Sequence, residues 1–269
     1  MRTPPGTCDC HLHIYGPPGA SPAASPTPAG AGLEDYRCLQ RQLGLERAVI
    51  VQPVAYGFDN RCTLESTAAL GEAGRCIVIP DPSADGATLA ALHEGGARGV
   101  RFHMLPDGPL GWDALAPLAA RIAPLGWHVQ LQMRGAGLPE AEARLAALPV
   151  PVVIDHIGRF EGGTSQSAPP FRTLLRLLES GRGWVKLSAP YWSSSAGAPF
   201  PDVAPLVRRL AAVAPERLVF ATNWPHPSLA GYVRPDDRAL MELLLGWLPD
   251  EASRRPVLVE NPARLYGFA

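Results

Sequence analysis

Apolar and polar positions along this chain fall into a repeating two-part pattern. Short runs dense in Val, Ile and Leu alternate with longer stretches in which apolar residues recur at three- and four-residue spacing. The first kind of run reads as buried strand and the second as amphipathic helix. Strands are predicted over 7–13, 48–52, 76–79, 99–103, 127–132, 152–156, 184–188 and 217–223. Helices are predicted over 33–43 (closed by Gly44), after Asp81-Pro82, and over 114–122, 140–148, 171–178, 203–213 and 235–247. A last segment, 255–266, is expected to pack over the outside. Eight strands alternating with these helices, without a break in composition, predict one α/β domain spanning 1–269, a (β/α)8 TIM barrel. The alternative, a doubly wound open sheet, would call for a Gly-rich phosphate loop that the chain does not show.

In such a barrel the functional residues sit at the C-terminal ends of the strands. Those ends carry His11 and His13, Gln52, Arg101 and His103, Gln130 and Gln132, His156, Lys186 and Ser188, and Asn223. Any one of them can be a satisfied core polar residue, but a mouth lined with so many needs a partner for each, which is costly as pure scaffold. Strict strand alternation places Asp9, His11 and His13 on one face, with Cys8, Cys10 and Leu12 on the other. Two converging imidazoles can hold a metal from one side or donate hydrogen bonds to a carbonyl oxygen. The same alternation turns the thiols of Cys8-x-Cys10 away from the imidazoles, which argues against a mixed Cys/His zinc site. Loops at 16–32, 157–168 and 189–201 flank the mouth; the first is rich in Pro, Ala, Gly and Ser and is either a lid or a connector.

Bulk properties narrow the partners. A formal charge of -1 gives no general attraction to nucleic acid or to an anionic membrane surface. No apolar stretch approaches the ~20 residues of a membrane span, and the N-terminus lacks a secretory pattern. The five cysteines, at 8, 10, 38, 62 and 76, have no disulfide-framework spacing. The expectation is a cytoplasmic protein with a small-molecule substrate; the sequence leaves its oligomeric state open.

His11-x-His13, Gln52-Pro-Val-Ala-Tyr-Gly-Phe-Asp-Asn-Arg61, Gly99-Val-Arg-Phe102, Val129-Gln-Leu-Gln132, Ile154-Asp-His-Ile-Gly-Arg159, Val185-Lys-Leu-Ser188, Ala221-Thr-Asn-Trp-Pro-His-Pro227 and Glu260-Asn-Pro-Ala-Arg-Leu-Tyr-Gly-Phe268 together resemble the amidohydrolase-related (amidohydrolase 2) family. Within it they are most similar to the branch of 2-pyrone-4,6-dicarboxylate lactonase and galactarolactone isomerase. The resemblance implies a (β/α)8 barrel and an enzyme acting on the carbonyl of a small carboxylated lactone. His11, His13 and His156 would polarise the carbonyl. Tyr56, Arg61, Arg101, Gln130, Arg159, Lys186 and His226 would bind substrate.

Metal-dependent relatives place ligands at the ends of the fifth and eighth strands. Here those ends are amides, Gln130-x-Gln132 and Asn223, so no metal and no other cofactor is expected. In the lactonase branch an aspartate at the position of Asn223 acts as base toward water, and a cation follows the Pro-Tyr pair where this chain has Trp192. Family resemblance therefore suggests a lactone hydrolase, with His226 as a substitute base. Asn223 locally favours a lactone isomerase, because a substrate hydroxyl already held near the carbonyl needs less base assistance than water. The third reading is a catalytically silent sugar-acid binder.

Overall fold

A computed structural model describes residues 3–17, 28, 30–106, 108–227, 234–248 and 250–269. Eight parallel strands follow one another around a single sheet in chain order: β1 (Cys8–Leu12), β2 (Arg47–Val51), β3 (Gly74–Val78), β4 (Ala97–His103), β5 (His128–Gln132), β6 (Val152–Ile154), β7 (Gly183–Leu187) and β8 (Leu218–Phe220). A parallel bridge between Leu12 and Trp224 closes the ring. At that seam Asn223 N donates to His11 O and His13 N donates to Trp224 O, both at 2.8 Å. The expected (β/α)8 barrel is therefore what the chain forms.

The crossovers are α1 (Leu33–Leu43), α2 (Arg61–Leu70), α3 (Gly86–Glu94), α4 (Trp112–Ile122), α5 (Leu138–Ala146), α6 (Pro169–Glu179), α7 (Ala204–Val213) and α8 (Asp237–Gly246). Helix α2 has no counterpart among the helices read from the sequence; its polar Thr63, Ser66 and Thr67 are buried and blur the apolar stripe. Strand residues split into two sets. Leu12, Ile50, Val78, Phe102, Leu131 and Phe220 pack outward in the cluster that includes the helices, whereas Cys8, Cys10, Val49, Val51, Ile77, Val153, Val219 and Ala221 fill the barrel interior. Inward positions in the lower barrel are apolar apart from His128 and become polar toward the strands' C-terminal ends, so most polar residues collect at one mouth.

The C-terminal segment differs from expectation. It folds as α9 (Glu251–Arg255), a π-helical turn (Pro256–Glu260) and α10 (Asn261–Tyr266). Only part of it lies over the outside: Val257, Leu258 and Val259 pack in the outer cluster, while Tyr266 and Phe268 join the interior one. Arg47 and Arg75 stack on the Phe268 ring and bond the carbonyls of Ala269 and Gly267. The segment thus plugs the barrel's N-terminal end, opposite the polar mouth. Residues 18–27 and 29 of the 16–32 loop lie outside the described residues. No helix among the described residues is long and apolar enough to cross a membrane.

Candidate active site

The first strand sets the site, by a device that strict alternation hides. Asp9 pairs with Ala48 but Leu12 with Ile50, so β1 holds one residue more than β2 over this stretch, a β-bulge. The bulge lets Cys8 and Cys10 face inward below while His11 and His13 face inward above. Asp9 therefore shares no face with the histidines, contrary to the expectation from strict alternation. Its carboxylate instead ties the barrel seam, accepting from His11 N (3.1 Å), Thr222 N (3.0 Å), Thr222 Oγ1 (2.6 Å) and Tyr36 OH (3.2 Å).

His11 and His13 do converge, their Nε2 atoms 3.1 Å apart. His13 Nδ1 lies 2.8 Å from Val51 O, and a carbonyl only accepts, so this nitrogen carries the proton of the neutral ring. His13 Nε2 is then an acceptor, and the proton between the two rings belongs to His11 Nε2. His11 Nδ1 faces two donors, Gln130 Nε2 (3.3 Å) and Lys186 Nζ (3.4 Å), and the Asp155 carboxylate at 3.3 Å. The one N–H of neutral His13 is spent on the backbone, so His13 orients His11 and is not itself a free donor.

His156 is placed differently. It follows β6 on left-handed backbone, φ 55°, an uncommon conformation for a side-chain-bearing residue and one that proteins retain mainly at functional sites. The Ser188 hydroxyl lies 2.9 Å from Nδ1; with the hydroxyl donating, the ring proton sits on Nε2. That Nε2 is buried and has no hydrogen-bond partner. A buried donor left unmatched costs about 1–3 kcal/mol, and a ligand oxygen placed there recovers it. The ring centroid of His156 is 4.8 Å from that of His11, so the His156 N–H and the His11 ring border one seat.

Beneath the histidines lies a carboxylate that was not among the residues expected from the sequence. Asp155 accepts from Gln130 Nε2 (3.0 Å), sits 3.3 Å from His11 Nδ1, and pairs with Lys186 Nζ at 3.7 Å; both side chains of that pair are fully enclosed. Lys186 also donates to Cys10 O (2.8 Å) and Gln130 Oε1 (2.5 Å). Arg101 bonds Gln52 O (2.6 Å) and Gln132 Oε1 (2.9 Å). Two cations against one carboxylate leave this nest with a net +1, which favours an anionic ligand or a developing oxyanion. The only hint in the sequence was the motif Ile154-Asp-His156, where the histidine drew attention from its neighbour.

A second array borders the mouth from β8. Asn223 Nδ2 donates to the Tyr191 oxygen (2.8 Å), and the Tyr191 hydroxyl lies 2.8 Å from His226 Nδ1. His226 Nε2 donates to Asp237 Oδ1 at 3.0 Å. His226 is thus turned inward and buried, at 4% exposure, and is no surface loop residue. Tyr191 packs edge-on against Trp192, which packs edge-on against His156, linking the two arrays.

The remaining expected residues fall around these arrays. Arg159 lies over the Trp192 ring and bonds Glu161 at 2.9 Å. The Tyr56 hydroxyl accepts from Gly16 N, tying the second loop to the start of the 16–32 loop. Arg61 does not join the cluster: its side chain is 77% exposed and paired with Asp59 at 2.6 Å. Gln52 is a loop staple, donating to Gly57 O and Asp59 O and accepting from Thr63.

Burial, reinforced by the nearby cations, holds His11, His13 and His156 well below the ordinary histidine range, so all three are neutral at pH 7. Burial likewise pushes His103 and His128 down to about 3. The unfolded chain takes up protons at these positions as pH falls through about 6.5, while the folded chain does not, so each can remove up to about 1.4 kcal/mol of stability per pH unit. Asp9, which burial raises to about 6, acts in the opposite sense for one group. The thermal midpoint is therefore expected to drop steeply between pH 6.5 and 5. A midpoint unchanged over that range, measured by calorimetry, would mean that these rings titrate freely in the folded protein.

With a barrel whose polar mouth holds His11, His13 and His156, comparison with known proteins decides the family. The amidohydrolase family model matches residues 8–268. The chain belongs to the amidohydrolase family. Among curated relatives, this amidohydrolase is 40% identical to D-galactarolactone isomerase of Agrobacterium fabrum, over 98% of the chain and 91% of that protein. It is 33% identical to 2-pyrone-4,6-dicarboxylate hydrolase of Comamonas testosteroni, over 99% of the chain and 92% of that protein. Among solved structures, the amidohydrolase superposes on an apo protein of Agrobacterium tumefaciens with a TM-score of 0.92 at 39% identity, covering 100% of this chain and 98% of the other.

Proposed function

We propose that this amidohydrolase is a lactone isomerase acting on a small carboxylated sugar-acid lactone, moving the acyl group from one substrate oxygen to another. The observation that carries this reading is the end of β8. Asn223 stands there with its amide committed to Tyr191, and a neutral amide cannot take a proton from water at neutral pH. The carboxylate inside the polar nest, Asp155, is wholly enclosed and matched to Lys186 and Gln130. An intramolecular hydroxyl is held close by the lactone itself and gains the advantage of proximity that water lacks. In this reading the lactone carbonyl oxygen takes the seat at His156 Nε2 beside His11, and Lys186 and Arg101 supply the positive field in which the oxyanion forms. Arg101, Arg159 and Tyr56 are assigned to the substrate's carboxylate end, and His13 and Gln130 to holding His11.

The isomerase relative, 40% identical, supports this reading. The hydrolase relative, 33% identical, supports the hydrolytic alternative, in which His226 or another group would have to activate water.

The reading is also metal-free. His11, Asp155 and His156 could each offer one ligand atom to an ion, all within 4.8 Å of one another. The Lys186 ammonium, however, sits 3.7 Å from Asp155 and 3.4 Å from His11 Nδ1. A dication would add to the net +1 of the nest, and amides stand where further hard ligands would be needed. The five free thiols fit a reducing, cytoplasmic setting.

One experiment tests both parts: NMR of aldaric-acid lactones and pyrone dicarboxylates incubated with exhaustively chelated protein. The expected result is conversion of one lactone ring into another with undiminished turnover and no proton released. Stoichiometric zinc whose removal abolishes turnover would sink the metal-free assignment, and ring-opened product with one proton per turnover would sink isomerisation.

A further inference from the structure

Transfer of an acyl group between two hydroxyls needs a proton taken from one oxygen and returned to another, and the isomerase reading leaves that carrier unnamed. Resting on that reading, we propose that Tyr191 is the proton-transferring catalytic residue, driven by a relay through His226 to Asp237. Three contacts define the relay. Asp237 accepts from His226 Nε2 at 3.0 Å, which puts the ring proton on Nε2 and leaves Nδ1 as an acceptor. The Tyr191 hydroxyl donates to that Nδ1 at 2.8 Å. Asn223 Nδ2 donates to the Tyr191 oxygen at 2.8 Å, which stabilises negative charge developing there.

The inner members are closed off and the outer one is not. His226 is 4% exposed and Asp237 9% exposed, whereas Tyr191 is only half-buried at the mouth. Its ring sits against Trp192, and Trp192 against His156, so an aromatic chain joins the relay to the carbonyl seat at His156 Nε2. The backbone supports the arrangement. Asn223 and His226 both have positive φ, 66° and 61°, and His226 N donates to Asn223 O. Non-glycine residues held in this way at a barrel mouth indicate a geometry kept for use.

The step balances without any outside reactant. The attacking hydroxyl of the substrate gives its proton to the Tyr191 oxygen as Tyr191 gives its own to His226 Nδ1. A bond forms between that hydroxyl oxygen and the lactone carbonyl carbon, and the carbonyl becomes an oxyanion at His156 Nε2. The oxyanion collapses, the original ring C–O bond breaks, and the departing alkoxide takes a proton from Tyr191, which recovers one from His226. The relay ends as it began, with no net proton and no electron exchanged. Asp237 offsets the imidazolium that forms in between. Asn223 thereby gains a positive role: an amide donates to Tyr191, whereas a carboxylate there would compete for the phenol proton.

The test compares Tyr191→Phe, Asp237→Asn and His226→Ala with the wild type on the lactone that the panel identifies. Galactaric acid, an unreactive dicarboxylate, serves as the binding probe by calorimetry. Tyr191→Phe is expected to lower kcat at least 100-fold with KM and galactarate affinity within about threefold of wild type, the loss typical of a missing acid–base group. His226→Ala is expected to lose a similar factor and to regain at least tenfold on addition of imidazole, which a merely structural histidine would not show. Asp237→Asn should fall between these variants and the wild type. Tyr191→Phe with kcat within threefold of an isomerising wild type overturns the relay and leaves the isomerase reading intact. A wild type that releases one proton per lactone, or converts none of the panel, overturns the isomerase reading itself.

Discussion

Replacing His156 by alanine is expected to lower kcat by about 10² to 10³ while KM stays within a few-fold, the loss found when one donor to a developing oxyanion is removed. The expectation rests on a specific atom. His156 Nε2 is buried and unpartnered, and with Ser188 donating to Nδ1 at 2.9 Å the ring proton sits on that nitrogen. A donor aimed at charge that exists mainly in the transition state affects kcat more than binding. His11→Ala should show a smaller loss, because its one N–H is shared with His13 Nε2. His13→Ala should show a smaller one still, because His13 acts by accepting from His11 and its own N–H is used on Val51 O. Ser188→Ala, which releases the tautomer without removing the ring, should cost less than His156→Ala. Steady-state kinetics of the four variants checks the order, and near-normal kcat in both His156→Ala and His11→Ala would show that the histidines are structural.

On the isomerase reading, Asn223→Asp should shift the enzyme from rearranging its lactone to hydrolysing it. The substitution keeps nearly the same shape at the end of β8 and adds a proton acceptor at the mouth. It also removes the amide donor to the Tyr191 oxygen and sets a carboxylate beside the phenol that His226 already engages. Water activation is gained and the proton relay is disturbed, so hydrolysis should rise as isomerisation falls. The new carboxylate must stay ionised. The cations of the nest favour that, while the site's 1% exposure opposes it, so the gain should be larger at higher pH. Proton release followed in a pH-stat, with products read by NMR, measures both reactions at once. A wild type that already releases one proton per lactone, and that loses activity on this substitution, would reverse the assignment and make His226 the base toward water.

The fold was legible because its signal is one-dimensional. Buried parallel strands are apolar along their length and their crossover helices carry a periodic stripe, so both survive in the linear pattern. Helix α2 escaped because Thr63, Ser66 and Thr67 sit on its buried side. The C-terminal segment was expected over the outside, where only Val257, Leu258 and Val259 pack, since nothing local distinguishes an apolar face that covers a helix from one that plugs a barrel end. Tyr266 and Phe268 do the latter.

For the site, the chain by itself determined which residue types crowd the strands' C-terminal ends: His11 and His13, Arg101, Gln130, His156, Lys186 and Asn223 follow from strand position alone. Only the tertiary structure decided what each can do there. The β1 bulge turned Asp9 out of the histidine face and into the seam. Val51 O took the N–H of His13, Ser188 left that of His156 free, and Asp155 came to rest against Lys186 across two strands. Tyr191, His226 and Asp237 lie on three different segments and meet only once the barrel has closed. The physical reason is the same in each case. Residue type and strand position are properties of the chain, but a proton's location on a ring and the partner of a buried charge depend on groups far away in sequence, and these are neighbours only in the folded barrel.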